Sequence, residues 1–254
     1  MTTRRNLLWA VAICTPLLTA CAFAARGGLW RVVHDVCVPD QQVFSSPAPC
    51  AEVNLAAGYV ILKDPDPFAP THFLLVLTAR IAGIEDPALL SPGAPNYWAL
   101  AWQARRYVDE RAGRVLGRDE LSLAVNSVYR RTQDQLHIHI DCIKPAVKAA
   151  LRARASAIGP NWAPFPVRLA GEPYFARRIE GADLAGVDPF RLLAALPEVR
   201  AAAGEESLVV TGETGADGQP GFILLAARTW PGYGNRWGEV LQDHHCALAR
   251  STAR

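Results

Sequence analysis

Residues 135–143, QLHIHIDCI, alternate polar and apolar side chains. A period of two is the period of an extended strand, so Gln135, His137 and His139 share one face, and the leucine and isoleucines between them share the other. The pattern predicts a strand whose apolar face packs on a core. Its polar face carries two imidazoles about 6.6 Å apart along the strand.

Short runs rich in strand-forming residues recur along the chain. Strands are predicted over residues 58–64, 71–81, 121–127, 207–213 and 221–229. The Pro-rich turn PDPFAP joins the first two as a hairpin, and the Gly-rich turn TGADGQP joins the last two. Helices are predicted over residues 97–112, 144–158 and 235–250. Strand, turn, strand and helix thus occur twice, which indicates an α+β fold. The repetition is either a weak internal duplication or the ordinary rhythm of an α+β domain.

Composition restricts the class of protein. The chain has 254 residues, of which 50% are hydrophobic and 20% charged, with a formal net charge of +2. These values are typical of a globular protein with a sizeable core. No basic block interleaved with aromatic residues is present, so a nucleic-acid partner is not expected.

The first 25 residues differ from the rest of the chain. Arg4 and Arg5 precede an apolar run over residues 7–25, which is the pattern of an export signal or membrane anchor. The segment has three possible fates: cleavage at the small-x-small motif Ala22-Phe23-Ala24, acylation at Cys21 of a lipobox, or retention as one span. All three place residues 26–254 on the outer side of the membrane as a single domain.

Four cysteines follow the export segment, and an even number in an exported protein indicates two disulfides. Three pairings are possible. Sequence separation favours a local Cys37–Cys50 bridge, which leaves Cys142 to pair with Cys246. The spacings contain no CxxC pair, so a structural zinc site is not expected.

Three interpretations compete for the two strand histidines. A His-x-His arm can bind a metal, but no further ligand follows at a recognisable spacing. Two histidines can also be the ordinary polar face of a strand. The third interpretation is nucleophilic catalysis on phosphorus, in which a neutral imidazole attacks and forms a phosphoramidate.

The residues before the histidines favour the third interpretation. A phosphoryl group needs donors that hold its developing charge. Residues 126–139 contain many donors, namely Asn126, Ser127, Arg130, Arg131, Thr132, Gln133, Gln135 and His139.

Two resemblances support that chemistry. APTHFLLVLTARI, followed by an asparagine and then by QLHIHI, resembles the histidine-triad (HIT) superfamily of nucleotidyl hydrolases and transferases, with Gln135 in place of its first histidine. A narrower resemblance is carried by CVP…PC, YWALAWQARR, RTQDQLHIHIDCIKP, YFARR and the terminal DHHC. This ordered set, which extends from about residue 30 to 249, resembles the bacterial CDP-diacylglycerol diphosphatase family.

The resemblance implies a fold, an activity and a location. The fold would be a HIT-like antiparallel sheet with flanking helices. The activity would be hydrolysis of CDP-diacylglycerol to CMP and phosphatidate through a cytidylyl-histidine intermediate, with no metal or cofactor. The domain would lie on the periplasmic side of the inner membrane, in contact with the lipid surface. A broader CMP hydrolase or transferase and a non-catalytic nucleotide- or lipid-binding protein remain the alternatives.

The resemblance also implies roles for individual residues. His137 falls on the nucleophile, while His139, Gln135 and Gln133 would hold the phosphate oxygens. Asn126 would contact the ribose or the phosphate, and Asp64 would contact the ribose hydroxyls. Lys63 beside Asp64 is also expected to contact the substrate, although a lysine there is atypical of the superfamily. Further substrate contacts are expected from two basic residues, Arg131 in the donor-rich run and Arg177 in YFARR. His72, His244 and His245 are expected to be structural or surface residues.

Overall fold

One antiparallel sheet of nine strands forms the centre of the molecule. The computed structural model describes residues 26–232 and 237–250. The strands are β1 (Glu52–Asn54), β2 (Tyr59–Lys63), β3 (Phe73–Leu77), β4 (Leu121–Val125), β5 (His137–Cys142), β6 (Ala163–Pro164), β7 (Phe175–Glu180), β8 (Glu206–Thr214) and β9 (Pro220–Arg228). The α+β class and the predicted strands are confirmed.

Short helices connect and cover the strands. The first, α1, is continuous through Gly28–Arg31, a π-helical stretch Val32–Cys37, and Val38–Phe44. The others are α2 (Tyr97–Ala104), α3 (Arg106–Ala112), α4 (Pro145–Ala153), α5 (Pro189–Ala194), α6 (Pro197–Arg200) and α7 (Ala247–Arg250). Single 3₁₀ turns occur at Pro87–Leu90, Arg118–Glu120, Ala155–Ala157, Ala203–Glu205 and Glu239–Leu241.

The strand order is symmetric for six of the nine strands, β3-β5-β4 and β8-β9-β7. Across the sheet it is β1-β2-β3-β5-β4-β8-β9-β7-β6, with β4 and β8 paired at the middle. On each side the chain runs from an outer strand (β3 or β7) through a helix pair to two inner strands. This arrangement is consistent with the internal duplication that the sequence pattern indicates.

The two faces of the sheet are covered differently. One face packs Ile138 and Ile140 of β5 against Trp98 and Trp102 of α2 in the largest apolar cluster. The other face carries two separate clusters. Helix α1 covers β2 and β3, and α4 covers β8 and β9. The polar side chains of β5 lie between them, in the interval that neither helix covers.

Both predicted disulfides are present. Cys37–Cys50 joins α1 to the segment before β1, across a sequence separation of 13. Cys142–Cys246 joins the end of β5 to the C-terminal segment, across a separation of 104. The two bridges therefore fix helix α1 and the C-terminal segment, which lie on either side of the polar side chains of β5.

The prediction of a C-terminal helix over residues 235–250 is wrong for most of the residues in that range that the structure describes. The chain forms the turn Glu239–Leu241, becomes extended at Gln242, which forms a β-bridge with Ile143, and is left-handed at Cys246 with φ 46°. Pairing with the end of β5 and the Cys246 bridge override the local helix propensity. Only α7 remains helical.

No helix within residues 26–232 and 237–250 is long and apolar enough to cross a membrane. The predicted export or anchor segment, residues 1–25, lies outside the described residues.

Candidate active site

The two strand histidines stand on the partly covered face of β5. His137 lies opposite Val76 and His139 opposite Leu74, while Ala124 of β4 flanks His139 on its other side. Both imidazoles are buried, with 7% and 5% of their surface exposed. They therefore occupy a polar gap within an apolar layer and are not the solvated face of an edge strand.

His137 is held in one tautomer by the backbone. Its Nδ1 lies 2.7 Å from the carbonyl oxygen of Gln135. A carbonyl only accepts hydrogen bonds, so Nδ1 carries the proton and Nε2 keeps its lone pair. Burial lowers the pKa of His137 below its ordinary value, which keeps the ring neutral at pH 7. His137 is thus a neutral imidazole with a free Nε2 lone pair, as a nucleophile requires.

Gln135 supports the strand instead of offering donors to a ligand. Its Nε2 donates to the carbonyl oxygens of Leu77 and Ala79, each at 2.7 Å. Its Oε1 is buried without a protein partner and can only accept. Gln135 therefore has no free donor with which to hold phosphate oxygens, contrary to the sequence-based expectation. Its side chain instead fixes the residue whose backbone carbonyl orients His137.

His139 belongs to a chain of three hydrogen-bonded side chains. Asp64 Oδ2 lies 3.0 Å from His72 Nδ1, and His72 Nε2 lies 2.9 Å from His139 Nδ1. Burial would raise the pKa of Asp64, but bonds from His72 and the backbone of Asp66 lower it to about 2. The carboxylate fixes the proton on His72 Nδ1, so His139 Nδ1–H donates to His72 Nε2.

The remaining nitrogen of His139 faces an amide and a carboxylate. Its Nε2 lies 3.4 Å from Asn126 Nδ2 and 3.7 Å from Glu239 Oε2. Burial lowers the pKa of His139 well below its ordinary value. His139 is therefore neutral, with an acceptor nitrogen beside His137, whose ring centroid is 4.8 Å from its own.

The C-terminal segment brings Glu239 to the histidines. Asn126 fixes it from both sides, since its Oδ1 accepts from the backbone N–H of Glu239 at 3.1 Å and its Nδ2 donates to Oε2 at 3.0 Å. Gly238 lies flat on the sheet, where an added Cβ would be 3.1 Å from Ala124. The glycine permits the close approach that places Glu239 beside His139.

His244 forms a charged bridge behind this pair. Its Nδ1 lies 2.7 Å from Asp141 Oδ2 and its Nε2 lies 3.2 Å from Glu239 Oε1. Burial would lower the pKa of His244, but the two carboxylates raise it to about 10. The Thr71 hydroxyl donates to the other oxygen of Asp141 at 2.7 Å. His244 is thus an imidazolium at neutral pH.

A shallow recess opens beside His137. Asn126, Arg131 and Gln135 line it together with the histidine. The guanidinium of Arg131 is already paired, at 2.7 Å with Glu85 and at 3.0 Å with Asp134. Much of its charge is therefore offset before any phosphate arrives.

Two other predicted site residues have structural contacts, and a third lies far from the histidines. Lys63 Nζ donates to the carbonyl oxygens of Asp64 and Ala69, each at 2.7 Å, and so holds the loop after β2. Gln133 Oε1 accepts from the backbone N–H of Leu29 in α1 at 2.9 Å. Arg177 is on β7, four strands from β5, a separation of roughly 19 Å. The structure does not bring Arg177 to the histidines.

Two groups of side chains have the composition of a metal site. His72, Asp141 and His244 form one, and His72, His139 and Glu239 form the other, with ligand atoms within 4.8 Å of one another in each group. One pair in each group is already hydrogen-bonded, Asp141 with His244 at 2.7 Å and His72 with His139 at 2.9 Å. A contact of 3.2 Å between His244 and Glu239 joins the two groups.

Sequence reasoning did not assign His72, Asp141, Glu239 and His244 to the site. The period of two could have found Asp141, which shares a face with His137 and His139. His72 precedes β3, whose Leu74 faces His139. His244, in the terminal DHHC, was expected to be a structural or surface residue because a helix was predicted there.

Comparison with known proteins agrees with the earlier resemblance. The family model described as CDP-diacylglycerol pyrophosphatase matches residues 24–250. A CDP-diacylglycerol pyrophosphatase of Yersinia pestis is 40% identical over 245 residues, which cover 96% of this chain and 93% of that protein. This chain therefore belongs to the CDP-diacylglycerol pyrophosphatase family.

Proposed function

We propose that this CDP-diacylglycerol pyrophosphatase releases CMP and phosphatidate through a covalent intermediate on His137. The observation that carries the proposal is the 2.7 Å bond from His137 Nδ1 to the Gln135 carbonyl. It orients a neutral ring with its Nε2 lone pair free, on a strand whose backbone is fixed by sheet pairing on both sides. Such preorganisation is what nucleophilic catalysis by an imidazole needs.

The reaction proceeds in two displacements at the α-phosphorus. First, His137 Nε2 forms a bond to that phosphorus while the bond to the bridging oxygen breaks, and the electron pair leaves with phosphatidate. The ring becomes positively charged, and the Gln135 carbonyl stabilises the charge through Nδ1–H. Water then attacks, the P–N bond breaks and CMP is released. The leaving phosphate is weakly basic, so the first step needs no strong general acid.

The hydrogen-bonded network serves the second displacement. His139 Nε2 is the acceptor nitrogen nearest His137 in this arrangement, and it takes a proton from the attacking water. Glu239, 3.7 Å away, stabilises the imidazolium that forms. Once protonated, His139 is also a donor to the phosphate oxygens, as the family resemblance implies. The Asp64–His72 pair keeps His139 in the required tautomer.

The fold family and location are part of the same proposal. The symmetric strand order and the histidine strand support a HIT-like domain. The apolar run over residues 7–25 and the two disulfides support an exported enzyme, anchored by its N-terminus at the outer face of the bacterial inner membrane. A lipid substrate is met most directly at that surface.

A quenched-reaction experiment tests the covalent step. Purified full-length protein is mixed with CDP-diacylglycerol in EDTA, stopped with alkali, which preserves phosphoramidates, and analysed by peptide mass spectrometry. We expect CMP release at the rate seen without chelator, and a cytidylyl adduct on the peptide that contains His137. Loss of activity in EDTA, restored by a divalent ion, would show that the reaction requires a metal and would contradict the proposal.

The acid limb of the pH profile gives an independent test. Protonated His137 cannot attack, so kcat/KM falls as the pH drops through its pKa. Because burial lowers that pKa below 6.5, we expect the midpoint of the acid limb below pH 6.5, with a tenfold decrease per unit beneath it. A profile measured by CMP release that begins to fall above pH 7 would argue against a neutral buried nucleophile.

A further inference from the structure

We propose that the end of the sheet that carries His137 faces the lipid bilayer, so that the substrate is cleaved while its acyl chains stay in the membrane. The interfacial end consists of the segments that adjoin the strand ends beside His137, namely residues 26–31, 78–83, 126–134 and 228–231. The proposal deepens the proposed function, because it rests on the N-terminal anchor and on a lipid substrate. It does not depend on which group attacks the phosphorus.

The junction with the proposed anchor is bound to the loop that precedes the catalytic strand. Arg26 directly follows the apolar run 7–25, and its guanidinium donates two hydrogen bonds to the Asp134 carboxylate, each of 2.6 Å. The backbone N–H of Asp134 donates to the carbonyl oxygen of Arg26 at 2.8 Å. Three residues further along, the Leu29 N–H donates to Gln133 Oε1 at 2.9 Å. The end of the anchor therefore stays beside this loop unless all of these hydrogen bonds break.

This attachment sets the height of His137 above the bilayer. Asp134 and His137 are three residues apart, and an extended chain spans at most about 3.6 Å per residue, so their Cα atoms lie within about 11 Å. An anchor that ends at residue 25 leaves Arg26 at the lipid headgroups. In CDP-diacylglycerol seven single bonds separate the attacked phosphorus from the first acyl carbonyl carbon, a reach of about 10 Å at about 1.5 Å a bond. The two heights agree, so the phosphorus can reach His137 from a lipid that remains in the membrane.

The exposed aromatic side chains at this end are of the kind that lipid headgroups favour. Among the residues that the structure describes, Tyr129 and Trp230 are the only exposed tyrosine and tryptophan, at 44% and 40%. Tyr129 follows the end of β4 and Trp230 follows the end of β9, while His137 begins β5. Because neighbouring strands are antiparallel, all three lie at one end of the sheet. Tyrosine and tryptophan are enriched where a membrane meets water.

A basic side chain at the same end has no acidic partner within the described ranges. Arg80 follows β3 and is exposed, and its Cζ lies 4.9 Å from the centre of the Trp30 ring in α1. It differs in this respect from Arg131, whose charge is offset by two carboxylates. Arg80 lies two residues before Ala82, which lines the recess beside His137. An exposed cation in this position suits an anionic phospholipid headgroup.

Site-specific photocrosslinking tests the orientation. The photoreactive residue p-benzoylphenylalanine is placed in the full-length protein at position 129 or 230, or at position 68 or 115 as a control. Phe68 and Val115 are 74% and 83% exposed and lie at the opposite end of the sheet. In vesicles of phosphatidylglycerol and phosphatidylcholine without substrate, we expect lipid adducts at positions 129 and 230. We expect none at the two controls, although the controls are more exposed.

A charge variant and its matched control give a second measurement. Arg80→Gln is compared with Arg152→Gln, because Arg152 is also exposed and lines a pocket with Thr214 at the opposite end of the sheet. CDP-diacylglycerol is presented at a fixed surface fraction in phosphatidylglycerol vesicles, and CDP-glycerol, which has no acyl chain, is presented in solution. We expect CMP release from the vesicles to fall about fivefold in Arg80→Gln alone, the effect of one basic residue at an anionic surface. Hydrolysis of CDP-glycerol should be the same in both variants.

Other outcomes would overturn the orientation. Lipid adducts at position 68 or 115 would place the opposite end on the membrane, and no adducts at any position in vesicle-bound protein would mean that the domain stands off the bilayer. Adducts with a second copy of the chain would make the interfacial end a contact between copies. An equal loss on CDP-glycerol would assign Arg80 to substrate binding. Protein that does not float with vesicles would remove the anchor as well. Crosslinking needs no turnover, so failure of the histidine mechanism would leave the adducts unchanged.

Discussion

Replacing His137 with alanine is expected to lower kcat/KM by about four to six orders of magnitude, while leaving the fold intact. The imidazole Nε2 makes the only new bond to phosphorus in the first displacement, and losses of this size follow removal of an enzyme nucleophile. The backbone bond to Gln135 disappears with the ring, but the sheet pairing of β5 remains. CMP release measures the loss, and circular dichroism checks the fold.

His245 offers a control and imidazole a rescue. His245 is exposed on the C-terminal segment, so His245→Ala should keep wild-type activity. His137→Gly leaves a space in which added imidazole can act as the nucleophile, and partial recovery that depends on its concentration is expected. If His137→Ala retained activity within tenfold of wild type, His139 or water would have to be the attacking group.

Removal of the Cys142–Cys246 disulfide is expected to have the second largest effect, on both stability and catalysis. The bridge closes a loop with a sequence separation of 104, for which chain-entropy arguments give about 4 to 5 kcal/mol of the free energy of unfolding. It also holds the segment that carries Glu239 and His244 against β5. Double replacement by serine should therefore lower stability and reduce kcat even where the protein remains folded.

Comparison with the other bridge separates the two effects. Cys37–Cys50, with a separation of 13, should contribute about 3 kcal/mol by the same argument. Its removal loosens α1, which carries no group of the histidine network. Urea unfolding gives the two stabilities, and CMP release at low temperature gives the two rates. Equal kcat losses in both double-serine variants would show that the C-terminal bridge has no particular connection with the site.

The secondary structure of the site strand was predictable because its pattern is local. Alternation over residues 135–143 gives both the strand and the face shared by His137 and His139. The disulfides followed from an even cysteine count and sequence separation. Helix α3 ends at Ala112, as does the helix predicted over residues 97–112, and Gly113 follows in the left-handed region with φ 73°.

The partners of the histidines were not predictable, because they come from distant parts of the chain. His72 is 67 residues before His139, and Glu239 is 113 residues after Asn126. Local propensity favours a helix over residues 235–250, but the chain forms only a 3₁₀ turn at Glu239–Leu241 and is extended at Gln242, which forms a bridge with Ile143. For Arg177 the error is the opposite one, because a residue predicted to be in the site lies far from it. The motif YFARR carries no information about strand order, and β7 lies four strands from β5.

The Cys142–Cys246 bond also makes the completed site depend on oxidation. The bond that secures the segment of Glu239 and His244 forms only after both thiols meet an oxidant. A reduced chain therefore has His137 on its strand but lacks the secured groups around His139.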